Sequence, residues 1–82
     1  MLFIAARTPA GDIYVICSDG ISEAMNEGGD EFTASRVIEI VEQSRTLPAR
    51  QIVDSIFDAV QTFRGAAAPN DDMTVVALRI LN

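Results

Sequence analysis

Apolar residues are concentrated in three short runs along the chain, and these runs predict β-strands. The first two, residues 2–7 and 13–18, flank a segment with Pro9, Gly11 and Asp12, which are typical of turns. This arrangement predicts a β-hairpin with a loop of about three to five residues. The third run, residues 74–81, is rich in β-branched side chains and predicts a strand near the C-terminus.

Between the second and third runs, apolar residues recur at helical spacing in two segments. Residues 34–44 predict a helix, with Thr33 as the N-cap and Phe32 packing onto Val37. The apolar positions of this helix are Val37, Ile38, Ile40 and Val41.

Residues 48–64 show the clearest helical pattern, with Pro48 in the first turn and Gly65 ending the helix. Its apolar stripe consists of Ile52, Val53, Ile56, Phe57, Val60 and Phe63. Residues 19–31 and 66–72 are predicted to be loops, so the element order is ββααβ. The predicted class is α+β, an antiparallel sheet with two helices on one face.

The predicted strands are apolar on both faces. In the second strand, Ile13, Val15 and Cys17 point to one side while Tyr14 and Ile16 point to the other. Two helices can cover only one face, and each Val- or Ile-sized group left in water costs about 1.5–3 kcal/mol relative to burial. We therefore predict that a second copy, or the remainder of a larger domain, lies against the other face.

The composition narrows the possible chemistry. The 82 residues allow one domain at most, and all six basic residues are arginines, so the chain has no lysine and no histidine. This excludes a P-loop lysine, a Schiff-base lysine, a histidine base and the usual zinc sites. A net charge of −6 argues against nucleic-acid binding. Carboxylate chemistry and hard divalent metals remain.

Features of secretion or membrane insertion are not apparent in the sequence. Residues 1–6 are too short for a signal core, and no apolar stretch reaches the ~20 residues of a spanning helix. The lone Cys17 cannot form an internal disulfide and is expected to be a small buried residue. We predict a cytoplasmic protein without a membrane partner.

Two acidic motifs lie at the ends of predicted strands. Asp19 follows the second strand within residues 17–20, and Asp71 and Asp72 precede the last strand within residues 70–74. Each motif by itself is also compatible with an ordinary Asp-Gly or Asx turn. Because the intervening helices allow the two strands to be neighbours, the carboxylates are expected to meet at one sheet edge. Such a group of oxygen donors suits Mg²⁺ or Mn²⁺.

Other polar residues are less suited to chemistry. Residues 26–31 lack the alternating acidic ladder of a calcium loop, which favours a solvated surface loop. Ser18 has no histidine or lysine to activate it as a nucleophile.

The order of these motifs resembles that of bacterial PPM-type serine phosphatases of the SpoIIE class. Residues 9–26, PAGDIYVICSDGISEAMN, resemble the family's run of a Gly-Asp turn, a strand, a (T/S)DG motif and a following Glu-Ala pair. Residues 70–76, NDDMTVV, resemble its final D-D-(I/M)-T motif. The similarity extends from about residue 9 to the C-terminus.

The resemblance implies part of an α-β-β-α sandwich phosphatase that uses two Mn²⁺ or Mg²⁺ ions to hydrolyse phosphoserine or phosphothreonine without a covalent enzyme intermediate. By residue-to-residue correspondence, Asp19 and Asp71 match metal ligands, and Asp72 matches a supporting position. Family substrates are phosphorylated STAS-type regulatory proteins, anti-anti-sigma factors that control transcription.

The resemblance covers only the C-terminal portion of that domain. The upstream acidic motifs, including the Asp that bridges the two metals, have no counterpart before residue 9. We therefore expect a partial domain over residues 1–82 without phosphatase activity, with weak metal binding and self-association through the bare sheet face. Two alternatives stay open: a non-catalytic dimerising remnant that binds a partner, and a small acidic domain whose motif match is accidental.

Overall fold

The computed structural model describes residues 1–9, 11–67 and 72–81. Its elements are β1 (Leu2–Thr8), β2 (Gly11–Cys17), α1 (Asp19–Ser22), α2 (Ala34–Ser44), α3 (Ala49–Arg64) and β3 (Val75–Leu81). The predicted ββααβ order and the α+β class are confirmed, with one additional helical turn, α1. A four-residue turn is too short to produce a helical repeat of apolar positions, so it was predicted as loop.

The three strands form one antiparallel sheet in the order β1-β2-β3. β2 is central, and Val15 pairs with Ile4 on one side and with Ala77 on the other. The hairpin is tighter than predicted, because pairing continues to Thr8 and Gly11 and leaves only residues 9 and 10 between the strands. Gly11 has a φ of 131°, which glycine adopts without the steric cost of a side chain.

The helix predictions hold with small corrections at the ends. α2 spans the predicted residues, whereas α3 begins one residue later, with Pro48 at the N-cap. Gly65 ends α3 with a φ of 59°. Thr33 occupies the N-cap of α2, but its side chain makes no capping hydrogen bond, and its φ is 77°. The backbone is fixed there by the bond from Thr33 N to Ser22 O, at 2.8 Å.

The core lies between the sheet and the two long helices. Alternate residues of the strands point into it, and α2 and α3 cover them with one apolar stripe each. The fully buried members at this interface include Ile13, Val15, Cys17, Val37, Val41, Ile52, Ile56 and Val60. Ile38 was predicted to belong to the stripe of α2 but is 42% exposed, because it points away from the sheet.

Among the described residues, no helix covers the opposite face of the sheet. Phe3, Val76, Leu78 and Ile80 are between 49% and 61% exposed, and Tyr14 and Ile16 are half-buried. The rings of Phe3 and Tyr14 lie 6.0 Å apart across β1 and β2. The described residues thus leave a continuous apolar surface, which we call the open sheet face.

None of the helices within the described ranges combines the length and the apolar character needed to cross a bilayer.

Candidate functional site

The end of β2 and the start of β3 form one edge of the sheet. Ser18 N donates to Thr74 O at 2.9 Å, which extends the β2–β3 ladder by one residue. Thr74 N in turn donates to Ser18 Oγ at 2.9 Å, and Ser18 Oγ donates to Asp72 O at 3.3 Å. Ser18 therefore joins the two acidic motifs, although more than fifty positions separate them in the chain.

Asp19 lies at this edge as the first residue of α1. Its side chain is 62% exposed, and Oδ1 accepts a hydrogen bond from the α-ammonium group of Met1. The main-chain carbonyl of Asp19 accepts from Glu23 N at 2.9 Å and holds the turn of α1. The carboxylate is thus directed away from the core, within reach of a cation.

The main chain of Asp72 lies against Ser18, the residue before Asp19. Asp71 falls outside the described residues. Asp72 is exposed, and its main chain is held by Ser18. Within residues 1–9, 11–67 and 72–81, no three His, Cys, Asp or Glu side chains are grouped to hold a metal ion. The oxygen donors at the edge are of the kind that Mg²⁺ and Mn²⁺ prefer, but the described ones do not complete a site.

Cys17 and the loop after α1 have structural roles in this arrangement. Burial raises the pKa of the Cys17 thiol, so the reactive thiolate is disfavoured. In the loop, Asn26 N donates to Asp30 O at 3.0 Å, and Asn26 Oδ1 accepts from Asp30 N at 2.9 Å. These bonds close the loop on itself.

Two arginines make contacts that the sequence analysis did not identify. Arg64 Nη1 lies 3.9 Å from Met73 Sδ, next to Asp72, and no described group accepts from its buried Nε. Arg36 stacks on Phe63, with its guanidinium carbon 4.5 Å from the ring centre. Phe32 precedes α2, so its approach to Arg36 does not follow from the i, i+4 spacing of a helix. The contact between Arg36 and Phe63 joins α2 to α3, so no pattern within either helix predicts it.

The fold and the edge geometry define a class: an α+β segment in which the residues after β2 and the residues before β3 lie together at one edge of the sheet. The family model for stage II sporulation protein E (SpoIIE) matches residues 5–81, and the chain therefore belongs to this family. The predicted resemblance to a portion of a PPM-type phosphatase domain is confirmed.

Among solved structures, the SiaA-PP2C domain of Pseudomonas aeruginosa is similar to this chain, with a TM-score of 0.74 and 18% sequence identity. At that identity the similarity shows a common fold. The match covers 84% of this chain and 28% of the SiaA chain, so the present sequence spans less than a third of that length. No significant match is found among curated proteins.

Proposed function

We propose that this chain is the C-terminal part of a metal-dependent protein serine/threonine phosphatase domain. The sheet edge that carries Asp19, Asp71 and Asp72 would bind the metal, and we call it the metal edge. Asp19 and Asp71 would bind Mn²⁺ or Mg²⁺, with Asp72 in support, and the ions would supply the electrostatic stabilisation needed for phosphate-ester hydrolysis. The observation that carries the proposal is the pair of hydrogen bonds at Ser18 Oγ, which accepts from Thr74 N and donates to Asp72 O. They support the proposal because they hold the segment before Asp19 against the segment of Asp72 and Thr74 at one sheet edge.

The contribution of the protein at this edge is positional. The ladder bond between Ser18 and Thr74 holds both turns on a rigid sheet, and the exposed Asp19 carboxylate can meet a cation without disturbing the core. The substrate we propose for the complete domain is a phosphorylated STAS-type regulatory protein of the anti-anti-sigma class. The cytoplasmic location stays a prediction from the sequence.

We further propose that the 82 residues alone lack phosphatase activity, because a two-metal centre requires donors beyond those present. The test is hydrolysis of p-nitrophenyl phosphate with Mn²⁺ by the purified chain. Phosphate release above background that Asp71→Ala abolishes would contradict the proposal.

Metal binding is tested separately by manganese titration. Asp19→Asn and Asp71→Asn are expected to weaken Mn²⁺ binding, since each removes a carboxylate donor at the edge. Asp54→Asn is the matched control, because Asp54 is exposed on α3 and belongs to neither acidic motif. Equal affinities for all four proteins would exclude the metal edge and favour an accidental motif match.

The open sheet face supports a second candidate, a non-catalytic remnant that dimerises and binds a partner. Three of its exposed side chains, Val76, Leu78 and Ile80, lie along one strand, which suits face-to-face packing against another sheet. A symmetric dimer would bury them. Light scattering at tens of micromolar chain distinguishes the outcomes, since a monomeric mass contradicts self-association.

A further inference from the structure

A groove of about 550 Å³ lies between α2 and α3, outside the metal edge and the open sheet face. Among the residues that line it are Phe32, Arg36, Ile40, Asp58, Ala59 and Phe63. We call this surface the interhelical groove. Its volume lies within the range of about 300–1,000 Å³ that is typical of ligand sites.

The floor of the groove is apolar. The rings of Phe32 and Phe63 meet edge to face, with centroids 5.4 Å apart, and Ile40 and Ala59 are half-buried beside them. This geometry fixes both rings, so an apolar ligand would meet a surface that is already ordered.

Arg36 places a positive charge over this floor. Its guanidinium carbon lies 4.5 Å from the centre of the Phe63 ring and 6.0 Å from that of Phe32. Among described residues, no carboxylate oxygen comes within 4.0 Å of it. Stacking orders the guanidinium but leaves its in-plane N–H donors available, and these donors match a carboxylate with two parallel hydrogen bonds.

Asp58 gives the groove a second, opposite charge. It is exposed, and no ion pair joins it to Arg36 in the described part of the chain. A ligand carboxylate would be attracted toward Arg36 and repelled from Asp58, so the two charges define an orientation. A doubly charged phosphate would be less favourable here, because the chain already carries a net charge of −6.

We propose that the interhelical groove binds an amphipathic helix of a partner protein, one that carries an Asp or Glu among its apolar residues and directs this carboxylate to Arg36. The lining residues run from Arg36 to Ile40 on α2 and from Asp58 to Phe63 on α3, a length of roughly 8 Å that accommodates one to two turns of a third helix. The apolar side chains of the ligand would rest on Phe32 and Phe63 in the helix-in-groove mode.

The test uses three synthetic amphipathic helices of equal length that differ only at one central position, which holds Glu, Gln or Lys. Binding to the full chain is measured by fluorescence anisotropy. We expect the Glu peptide to bind about tenfold more tightly than the Gln peptide, and the Lys peptide to bind weakest. Failure of all three to bind, or equal affinities, would overturn the proposal.

Three variants locate the interaction. Arg36→Gln is expected to remove the preference for Glu, and Arg36→Glu to reverse it in favour of Lys. Arg50→Glu is the matched control, since Arg50 is exposed in α3 outside the groove and should preserve the wild-type order. Circular dichroism verifies that each variant is folded. An unchanged order in folded Arg36→Gln would contradict the role of Arg36. The binding assay contains no metal ion, so its result does not depend on the proposed phosphatase function.

Discussion

The hydroxyl group of Ser18 accepts a hydrogen bond from the main-chain N–H of Thr74 at 2.9 Å, and this bond connects the turn of Asp19 to that of Asp72. It adds to the ladder bond from Ser18 N to Thr74 O. Ser18 therefore holds the residues that precede β3 through both its main chain and its side chain. The geometry of the proposed metal edge therefore depends on a serine that is not itself an expected metal ligand.

Ser18→Ala is expected to lower the free energy of unfolding by about 0.5–1.5 kcal/mol, because Thr74 N loses its acceptor. Urea unfolding measures the change. Ser35→Ala, on the exposed side of α2, is the control and should change stability little. If the two variants were equally stable, the Ser18 bond would make no net contribution.

Arg79 Nη2 donates to the carbonyls of Arg45 and Leu47, both at 2.6 Å, and thereby attaches β3 to the α2–α3 connection. Arg79→Met keeps much of the side-chain volume but removes these charged donors. We expect a loss of about 1.5–3 kcal/mol in thermal or urea unfolding. Arg50→Met, at an exposed position of α3, should be near neutral, and a comparable loss there would point to a nonspecific effect of charge.

Thr33 has a φ of 77°, which is costly for a β-branched residue. Thr33→Gly is expected to raise the free energy of unfolding by roughly 1 kcal/mol, since the relief of strain exceeds the added flexibility of the unfolded chain. Thr46→Gly provides the contrast, because Thr46 does not have a positive φ and the substitution should destabilise. Destabilisation in both variants would show that Thr33 is not strained.

Leu78 is 56% exposed at the open sheet face. Leu78→Asp places a charge within that surface and is expected to shift light-scattering mass toward the monomer, because burying the carboxylate in a dimer is unfavourable. Ile38→Asp, 42% exposed on α2, is the matched control and should leave the mass unchanged. The same shift in both variants would indicate an effect of charge rather than of the face.

The Cys17 thiol has a raised pKa because the group is buried. The folded state therefore retains its proton at a pH where the unfolded thiol has lost it. The stability from this group is complete below the unfolded pKa and falls as the pH rises through the folded one. Urea unfolding from neutral to alkaline pH should show a smaller alkaline loss for Cys17→Ala than for the wild type, and parallel curves would disprove it.

Much of the fold could be predicted from local patterns. The spacing of apolar residues predicts the ranges of α2 and α3 and the order of the strands along the chain. It also predicts that Val76 and Leu78 lie on the outer face of the sheet. The tight hairpin and the turn α1 could not be predicted in this way, since strand pairing and local hydrogen bonds determine where such short segments end.

The same division applies to the proposed sites. The sequence by itself determined the chemistry: aspartates at strand ends, no histidine or lysine, and motifs of the SpoIIE family. Only the tertiary structure decided that β2 pairs with β3, which brings Ser18 to Thr74, and that α2 packs beside α3, which brings Arg36 onto Phe63. Such contacts join residues far apart in the chain, and periodicity along one segment carries no information about its spatial neighbours.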